Sequence, residues 1–162
     1  MISGCSGEKS ILPPDAGAVP QSVKCEFALI SIDADEDHGA MGRFTFQHHE
    51  AHAIDLYGFG FSGTNTFRVR FEGFQRETDG KWSEVQVGYC GTGAELYPIE
   101  PHREYVFLVP LWPFLEEGGH GIVEIPGIDL KVVSMPFSTA EVRKIGDRRK
   151  KTANRRLESD RR

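Results

Sequence analysis

Long apolar runs are missing from this 162-residue sequence. No stretch of about eighteen consecutive apolar residues occurs, so we expect no helix of this chain to cross a bilayer. Helical periodicity is also missing before Phe137, since no segment repeats its apolar residues every three or four positions. The body of the chain is therefore not expected to be helical.

Length and charge divide the chain into three parts. A chain of 162 residues suits one domain with extended ends. Residues 1 to 140 carry 20 acidic and 9 basic side chains, whereas residues 141 to 162 carry 4 and 10. We predict a tether rich in Pro, Gly and Ser over residues 1–23, a folded domain over 24–138 and a basic tail over 139–162.

Apolar and polar residues alternate along most of the predicted domain. In "TFRVRFEGF" the side chains of Phe67, Val69 and Phe71 should point to a core, while Arg68 and its polar neighbours face water. The predicted core consists of Phe27, Leu29, Phe67, Val69, Phe71, Phe107 and Val109. The predicted strands are Cys25–Ile32, Arg43–His48, Ala53–Phe61, Thr66–Arg76, Lys81–Val87, Tyr105–Leu111, Gly121–Ile125 and Asp129–Phe137.

Short strands at roughly ten-residue spacing predict an all-β fold. The fold class is an antiparallel immunoglobulin-like β-sandwich of seven to nine strands, followed by a short C-terminal helix or a disordered tail. A closed barrel is the alternative, because sequence does not separate one closed sheet from two packed sheets.

One segment resembles a known group of proteins. It contains Trp82, the turn Cys90-Gly91-Thr92-Gly93, a bend from Leu96 to Pro101 and the aliphatic strand Tyr105–Leu111. This order is similar to that of uncharacterised secreted bacterial immunoglobulin-like domains. The resemblance implies the sandwich fold and an extracytoplasmic location, and it carries no activity.

The N-terminal residues Ile2-Ser3-Gly4-Cys5 resemble the lipobox of bacterial lipoproteins, in which the cysteine is lipidated. This resemblance implies a lipid anchor on Cys5, with the residues that follow serving as a flexible tether. A lipobox requires a secretory signal upstream of it. The alternative is an accidental match of four residues.

The other two cysteines have two interpretations. The immunoglobulin resemblance implies a disulfide between Cys25 and Cys90, whose separation is similar to that of an immunoglobulin pair, although no tryptophan follows Cys25 closely. Alternatively, Cys90 is a nucleophile, but no His or Lys adjoins it in sequence to generate a thiolate. The glycines around Cys90 favour a plain turn.

Two stretches have side chains that suit a metal ion. "DADEDHG" places carboxylates at alternate positions, as calcium loops do, although the later positions of such a loop do not match. "HHEAH" places two imidazoles and a carboxylate where they could bind zinc or copper. An acidic connection and a histidine-rich turn are the simpler interpretations, and no cofactor is then needed. The candidate metal ligands are Asp33, Asp35, Asp37, His48, Glu50 and His52.

The basic tail begins with a helix start signal, because Ser138 and Glu141 match a capping box. Beyond it, a cluster of cations could contact RNA, an anionic lipid or a polyanionic envelope polymer. No aromatic residues are interleaved with these cations and no nucleic-acid-binding module surrounds them, so nucleic acid is not favoured. The candidate contacts are Arg148, Arg149, Lys150, Lys151, Arg155 and Arg156.

Together these patterns predict a non-enzymatic, extracytoplasmic binding or structural module of the bacterial envelope. Its partner would be an unknown protein or an envelope polymer. One alternative is a metal-dependent or thiol enzyme that uses the stretches Asp33–His38 and His48–His52. A second alternative is a polyanion binder that acts through the tail.

Overall fold

The computed structural model describes residues 21–35, 39–76, 80–87, 93–115, 119–140, 142, 144 and 145. Twelve strands account for most of them, and the longest helical segment before Phe137 in this part of the chain is the 3-10 helix Trp112–Leu115. The strands are β1 (Gln21–Ser22), β2 (Cys25–Asp35), β3 (Gly39–His48), β4 (Ile54–Ser62), β5 (Thr66–Val69), β6 (Glu72–Arg76), β7 (Trp82–Val85), β8 (Glu95–Ile99), β9 (Tyr105–Pro110), β10 (His120–Pro126), β11 (Leu130–Val133) and β12 (Phe137–Ser138).

The strands form two six-stranded sheets. Sheet A has the order β1-β11-β10-β6-β7, with β12 also paired to β10, and sheet B has the order β2-β3-β9-β5-β4-β8. The pairs are antiparallel except β1 with β11 and β5 with β9. This arrangement confirms the all-β prediction with two sheets. The predicted strand count of seven to nine was too low.

Part of the difference in strand count arises because two predicted strands are each divided into two. The predicted strand Thr66–Arg76 leaves sheet B after Val69 and enters sheet A at Glu72. Phe67, Val69 and Phe71 are all buried, so the alternation continues through the corner although the strand does not. A chain can change sheets at such a corner without changing which side chains face the core. Alternation therefore predicted the buried face correctly and the strand boundary incorrectly.

The second divided strand is Asp129–Phe137, which gives β11 and β12. The rest of the difference comes from β1 and β8, two short strands that the sequence did not predict. β1 has only two residues and pairs in parallel with β11. β8 contains Pro98, which lacks an N–H donor and is tolerated because β8 lies at the edge of its sheet.

Aromatic side chains dominate the core. Of the seven predicted core residues, six are buried and Leu29 is partly buried against them. The rings of Phe46 and Phe107 stack with centroids 4.4 Å apart, and Phe27 contacts both. This ring cluster lies on the inner face of sheet B. It fixes which face of every strand in that sheet points outward.

The two sheets are also joined at their margins. Leu56 forms a bridge with Gly127, and the N–H of Met135 donates to the carbonyl of Phe27 at 2.8 Å. At the C-terminal end, Ala140 N–H contacts Ser138 Oγ at 3.4 Å, where the described helical residues begin. Val142 is fully buried, so the core includes a residue that the sequence assigned to the tail.

Candidate functional site

Several titratable side chains meet at one end of sheet B. Antiparallel pairing places Cys25 opposite His48, so the residues that follow β3 lie beside the residue that precedes β2. The N–H of His49 donates to the carbonyl of Lys24 at 3.1 Å, and the N–H of Lys24 donates to Glu50 Oε1 at 3.1 Å. The turn between β8 and β9 reaches the same place. We call the group Cys25, Glu26, His48, His49, Glu50 and His102 the histidine corner.

His48 is fully buried and both of its ring nitrogens are engaged. Nε2 lies 2.8 Å from the carbonyl of Ile99, which can only accept, so Nε2 carries the proton. Nδ1 then accepts from the N–H of Glu50 at 3.3 Å. A metal ion would have to displace one of these backbone partners, so His48 has a structural role in the geometry seen here.

His49 and His102 face each other at the surface of this corner. Their Nδ1 atoms are 3.4 Å apart and their ring centroids 5.5 Å apart. His49 Nε2 lies 3.5 Å from Glu26 Oε1, which directs the Nε2 proton of His49 towards a carboxylate. His102 adopts a left-handed φ of 59° and donates its N–H to the carbonyl of His48 at 2.9 Å. Backbone hydrogen bonds therefore hold the main chain of both residues in place, and the rings contact each other and Glu26.

Cys25 lies half-buried next to this group and forms no disulfide with another described residue. Burial is the main cause of a raised pKa at Cys25, and the negative charge of Glu50 raises the pKa further. Catalytic cysteines need the opposite shift, since the thiolate is the nucleophile. The environment of Cys25 therefore favours the thiol over the thiolate. The nucleophile considered above is Cys90, which lies outside the described residues, so that alternative stays a prediction.

The two stretches considered as metal sites lie at different places in the fold. His48 and Glu50 are in the histidine corner, whereas His52 is exposed in the bend after β3. Asp33 and Asp35 are near the far end of β2, roughly 26 to 33 Å from Cys25 at strand spacing. Within the described residues no three His, Cys, Asp or Glu side chains are grouped for a metal ion. Asp37 lies outside the described residues, so the acidic site stays a prediction.

A second concentration of functional side chains lies on the outer face of sheet B. Arg43 on β3 is level with Leu108 on β9, and Leu108 is level with Arg68 on β5. Arg70 follows β5, and its guanidinium lies 5.9 Å from the ring centroid of Tyr57. We call Arg43, Arg68, Arg70, Tyr57 and Leu108 the arginine face.

The charge of the arginine face is not neutralised within the described part of the chain. Arg43 and Arg68 form no ion pair with another described residue. The acidic side chains of the same outer face lie towards its margins, with Glu26 and Asp33 on the edge strand β2 and Asp55 next to the edge strand β8. A local basic surface therefore stands on a domain that is acidic as a whole.

The remaining site predictions fall on residues that the structure does not describe. Cys5 and Cys90 belong to this group, so the lipid anchor and the Cys25–Cys90 disulfide stay predictions. The same holds for the tail cations Arg148, Arg149, Lys150, Lys151, Arg155 and Arg156.

Sequence patterns alone did not bring together the residues of either site. Alternation in "TFRVRFEGF" placed Arg68 and Arg70 on the outer face, but Arg43 joins them only through the order of strands β3, β9 and β5. His102 is 53 residues from His49 in the chain, and only strand pairing makes them neighbours.

Comparisons with protein-family models, curated proteins and solved structures give no match for this chain. None of the described helical segments is long and apolar enough to pass through a membrane. The histidine corner and the arginine face are therefore the features from which a function can be inferred.

Proposed function

We propose that this chain is a non-enzymatic binding module of the bacterial envelope that holds an anionic envelope polymer on its arginine face. The observation that carries the proposal is the row Arg43, Leu108, Arg68 across three adjacent strands, with both guanidiniums free of ion pairs to described residues. Arg70 and Tyr57 extend this row towards β4.

The side chains of this row suit an extended polymer with repeating anionic groups. Arg43 and Arg68 are separated by one strand, so their Cα atoms are roughly 10 Å apart at ordinary strand spacing. Guanidinium groups donate two parallel hydrogen bonds to a phosphate or carboxylate. Leu108 between them, and Tyr57 beside Arg70, offer apolar surface to the less polar parts of such a chain.

The charge on the rest of the domain also favours binding of a polyanion at the arginine face. Residues 1 to 140 carry 20 acidic side chains against 9 basic ones. A polyanion is therefore repelled by most of the surface and attracted to the arginine face, which orients the encounter. Binding of this kind weakens as ionic strength rises.

We also propose an immunoglobulin-like fold and an extracytoplasmic location. The immunoglobulin-like assignment is supported by two packed sheets with mostly antiparallel pairing, whereas Trp82 is 43% exposed and is not the core tryptophan of an immunoglobulin domain. The extracytoplasmic, lipid-anchored location is supported by the lipobox-like Ile2-Ser3-Gly4-Cys5. Labelling with a radioactive fatty acid in the native host tests it, and Cys5→Ala should abolish the label.

The binding proposal is tested with dextran sulfate as the probe, by fluorescence anisotropy over a series of salt concentrations. Arg43→Gln and Arg68→Gln should each weaken binding about tenfold, since each removes a charged hydrogen-bonding group. The matched control is Arg76→Gln, which removes one positive charge from β6 in the other sheet. Equal loss in this control would show that net charge alone governs binding.

The rival polyanion binder is tested in the same assay. Neutralising Arg148, Arg149, Lys150 and Lys151 to Gln in the full chain should leave the affinity of the arginine face largely unchanged. If these four changes remove binding while Arg43→Gln with Arg68→Gln does not, the function belongs to the tail.

A further inference from the structure

We infer that His49 and His102 form a surface site for a divalent transition-metal ion such as Zn²⁺, coordinated by the two Nδ1 atoms. This site does not depend on the arginine face, because His49 lies beyond the end of β3 and His102 lies in the turn between β8 and β9. It differs from the site predicted from "HHEAH", whose His48 is buried and engaged.

The separation of the two nitrogens is the first argument. Two Zn–N bonds of about 2.05 Å at a tetrahedral angle place their nitrogens about 3.3 Å apart. The Nδ1 atoms of His49 and His102 are 3.4 Å apart. The metal-free pair already has the spacing that a tetrahedral ion requires, so coordination needs the rings to turn rather than the backbone to move.

The proton positions are the second argument. The Nε2 of His49 faces the Glu26 carboxylate at 3.5 Å, which places its proton on Nε2 and leaves a lone pair on Nδ1. A carboxylate on the remote nitrogen of a histidine is the usual support for a metal ligand, because it fixes the tautomer and makes the ring more basic. His102 donates its Nδ1 proton to His49 in the metal-free form. On binding, that proton leaves Nδ1 and its place is taken by the metal ion, while the Nε2 of His102 takes up a proton from water.

The backbone at His102 is the third argument. The left-handed φ of 59° is uncommon for a residue other than glycine, although His, Asn and Asp adopt it more readily than most. The hydrogen bond from its N–H to the carbonyl of His48 ties this turn to the end of β3. Gly or Asn would suffice if this turn had only a structural role. His102 instead adds an imidazole at a fixed point.

The surrounding charges favour a cation. Glu26 faces His49, and Glu50 is anchored one residue further along by the N–H of Lys24. Arg103 follows His102, but its guanidinium donates to the carbonyl of Thr64 at 2.8 Å and lies 5.3 Å from the ring centroid of Tyr105. Its positive charge is thus directed towards Thr64 and Tyr105. Water completes the coordination, so the ion remains exchangeable.

The test uses the full chain with Cys5 and Cys90 replaced by Ser, stripped with a chelator and titrated with zinc sulfate by calorimetry. One ion should bind per chain. His49→Gln should abolish measurable binding, and so should His102→Asn, in which Asn keeps the left-handed turn. Glu26→Gln should weaken binding by about 10- to 100-fold, because it removes the support of His49. The matched controls His52→Gln and His120→Gln should bind as the parent does.

A second readout distinguishes this site from other sites that the histidines and Cys25 could form. In NMR spectra of the protein labelled with ¹⁵N-histidine, zinc should shift the Nδ1 signals of two residues. The His49→Gln and His102→Asn variants should lose those shifts. Zinc affinity that survives both variants, or that is lost on Cys25→Ser or His52→Gln instead, would overturn the inference. Failure of the parent chain to bind zinc would do so as well, without affecting the binding assay for the arginine face.

Discussion

The imidazole of His48 donates to the carbonyl of Ile99 across 2.8 Å, although the strands that carry them are four places apart in sheet B. His48 ends β3 and Ile99 ends β8, and both are fully buried. The bond therefore draws the edge strand β8 back towards the second strand of its own sheet. At this end the sheet curves around its aromatic core, and the hydrogen bond of His48 stabilises that curvature.

Replacing His48 tests this role. His48→Leu keeps the volume roughly constant but leaves the carbonyl of Ile99 and the N–H of Glu50 without their partner. A buried polar group left unsatisfied costs about 1 to 3 kcal/mol, and two groups are affected here. We expect urea unfolding to show a loss of at least about 2 kcal/mol. The exposed His52→Leu should change stability by less than about 0.5 kcal/mol, and a similar loss in both variants would contradict the structural role.

Phe107 tests the orientation of sheet B. It is fully buried among Phe27, Phe46 and Phe67, with the ring of Phe46 stacked on it. Phe107→Ala should cost about 3 to 5 kcal/mol, through lost burial and the cavity left behind. The neighbouring Val106 faces outward on the same strand, so Val106→Ala should cost much less. Chemical denaturation of both variants measures the difference, and equal losses would mean that β9 is placed inside out.

The same residues show which features of the fold could be predicted from the sequence. Alternation identified the buried face of β5, because period two depends only on local backbone geometry. The segment "YVFLVP" of β9 is apolar on both faces, so alternation does not identify its buried face. Alternation also did not show that the chain changes sheets between Val69 and Glu72, since burial continues unbroken through that corner. The partners His49 with His102 and Arg43 with Arg68 depend on strand order and register. Those are set by packing across the whole domain, which no local pattern encodes.

Gly58 tests the closeness of packing between β4 and β5. A Cβ at this position would overlap the ring of Phe67 and the backbone carbonyl of Arg68. Phe67 is fully buried and cannot move aside, so Gly58→Ala should cost about 1 to 3 kcal/mol through overpacking. Gly119→Ala is the matched control, because nothing lies within 4 Å of a Cβ there. Thermal unfolding that is unchanged in Gly58→Ala would show that these two strands are further apart than the structure has them.

The Cys25 thiol should make stability depend on alkaline pH. Burial first, and then the charge of Glu50, raise the pKa of Cys25 in the folded chain. As pH rises past the ordinary thiol value of about 8.5, the unfolded chain loses this proton before the folded chain does. The contribution of Cys25 to stability is therefore complete below about pH 8.5 and decreases as pH rises towards the folded pKa. Urea unfolding at pH 7 to 10 should show a steeper loss for a Cys5→Ser, Cys90→Ser chain than for the same chain with Cys25→Ser.

The part played by Glu50 can be measured separately in the Cys5→Ser, Cys90→Ser chain, with a chelator present. Glu50→Gln removes the negative charge and keeps an oxygen that can accept from the N–H of Lys24. It should lower the pKa of Cys25, so that alkylation by iodoacetamide reaches half its maximal rate at a lower pH. Glu26→Gln is the control, since Glu26 is the next residue but is not among the causes of the shift. A Cys25 pKa below the ordinary thiol value in the parent chain would contradict the described environment, because only a stabilised thiolate has a lowered pKa.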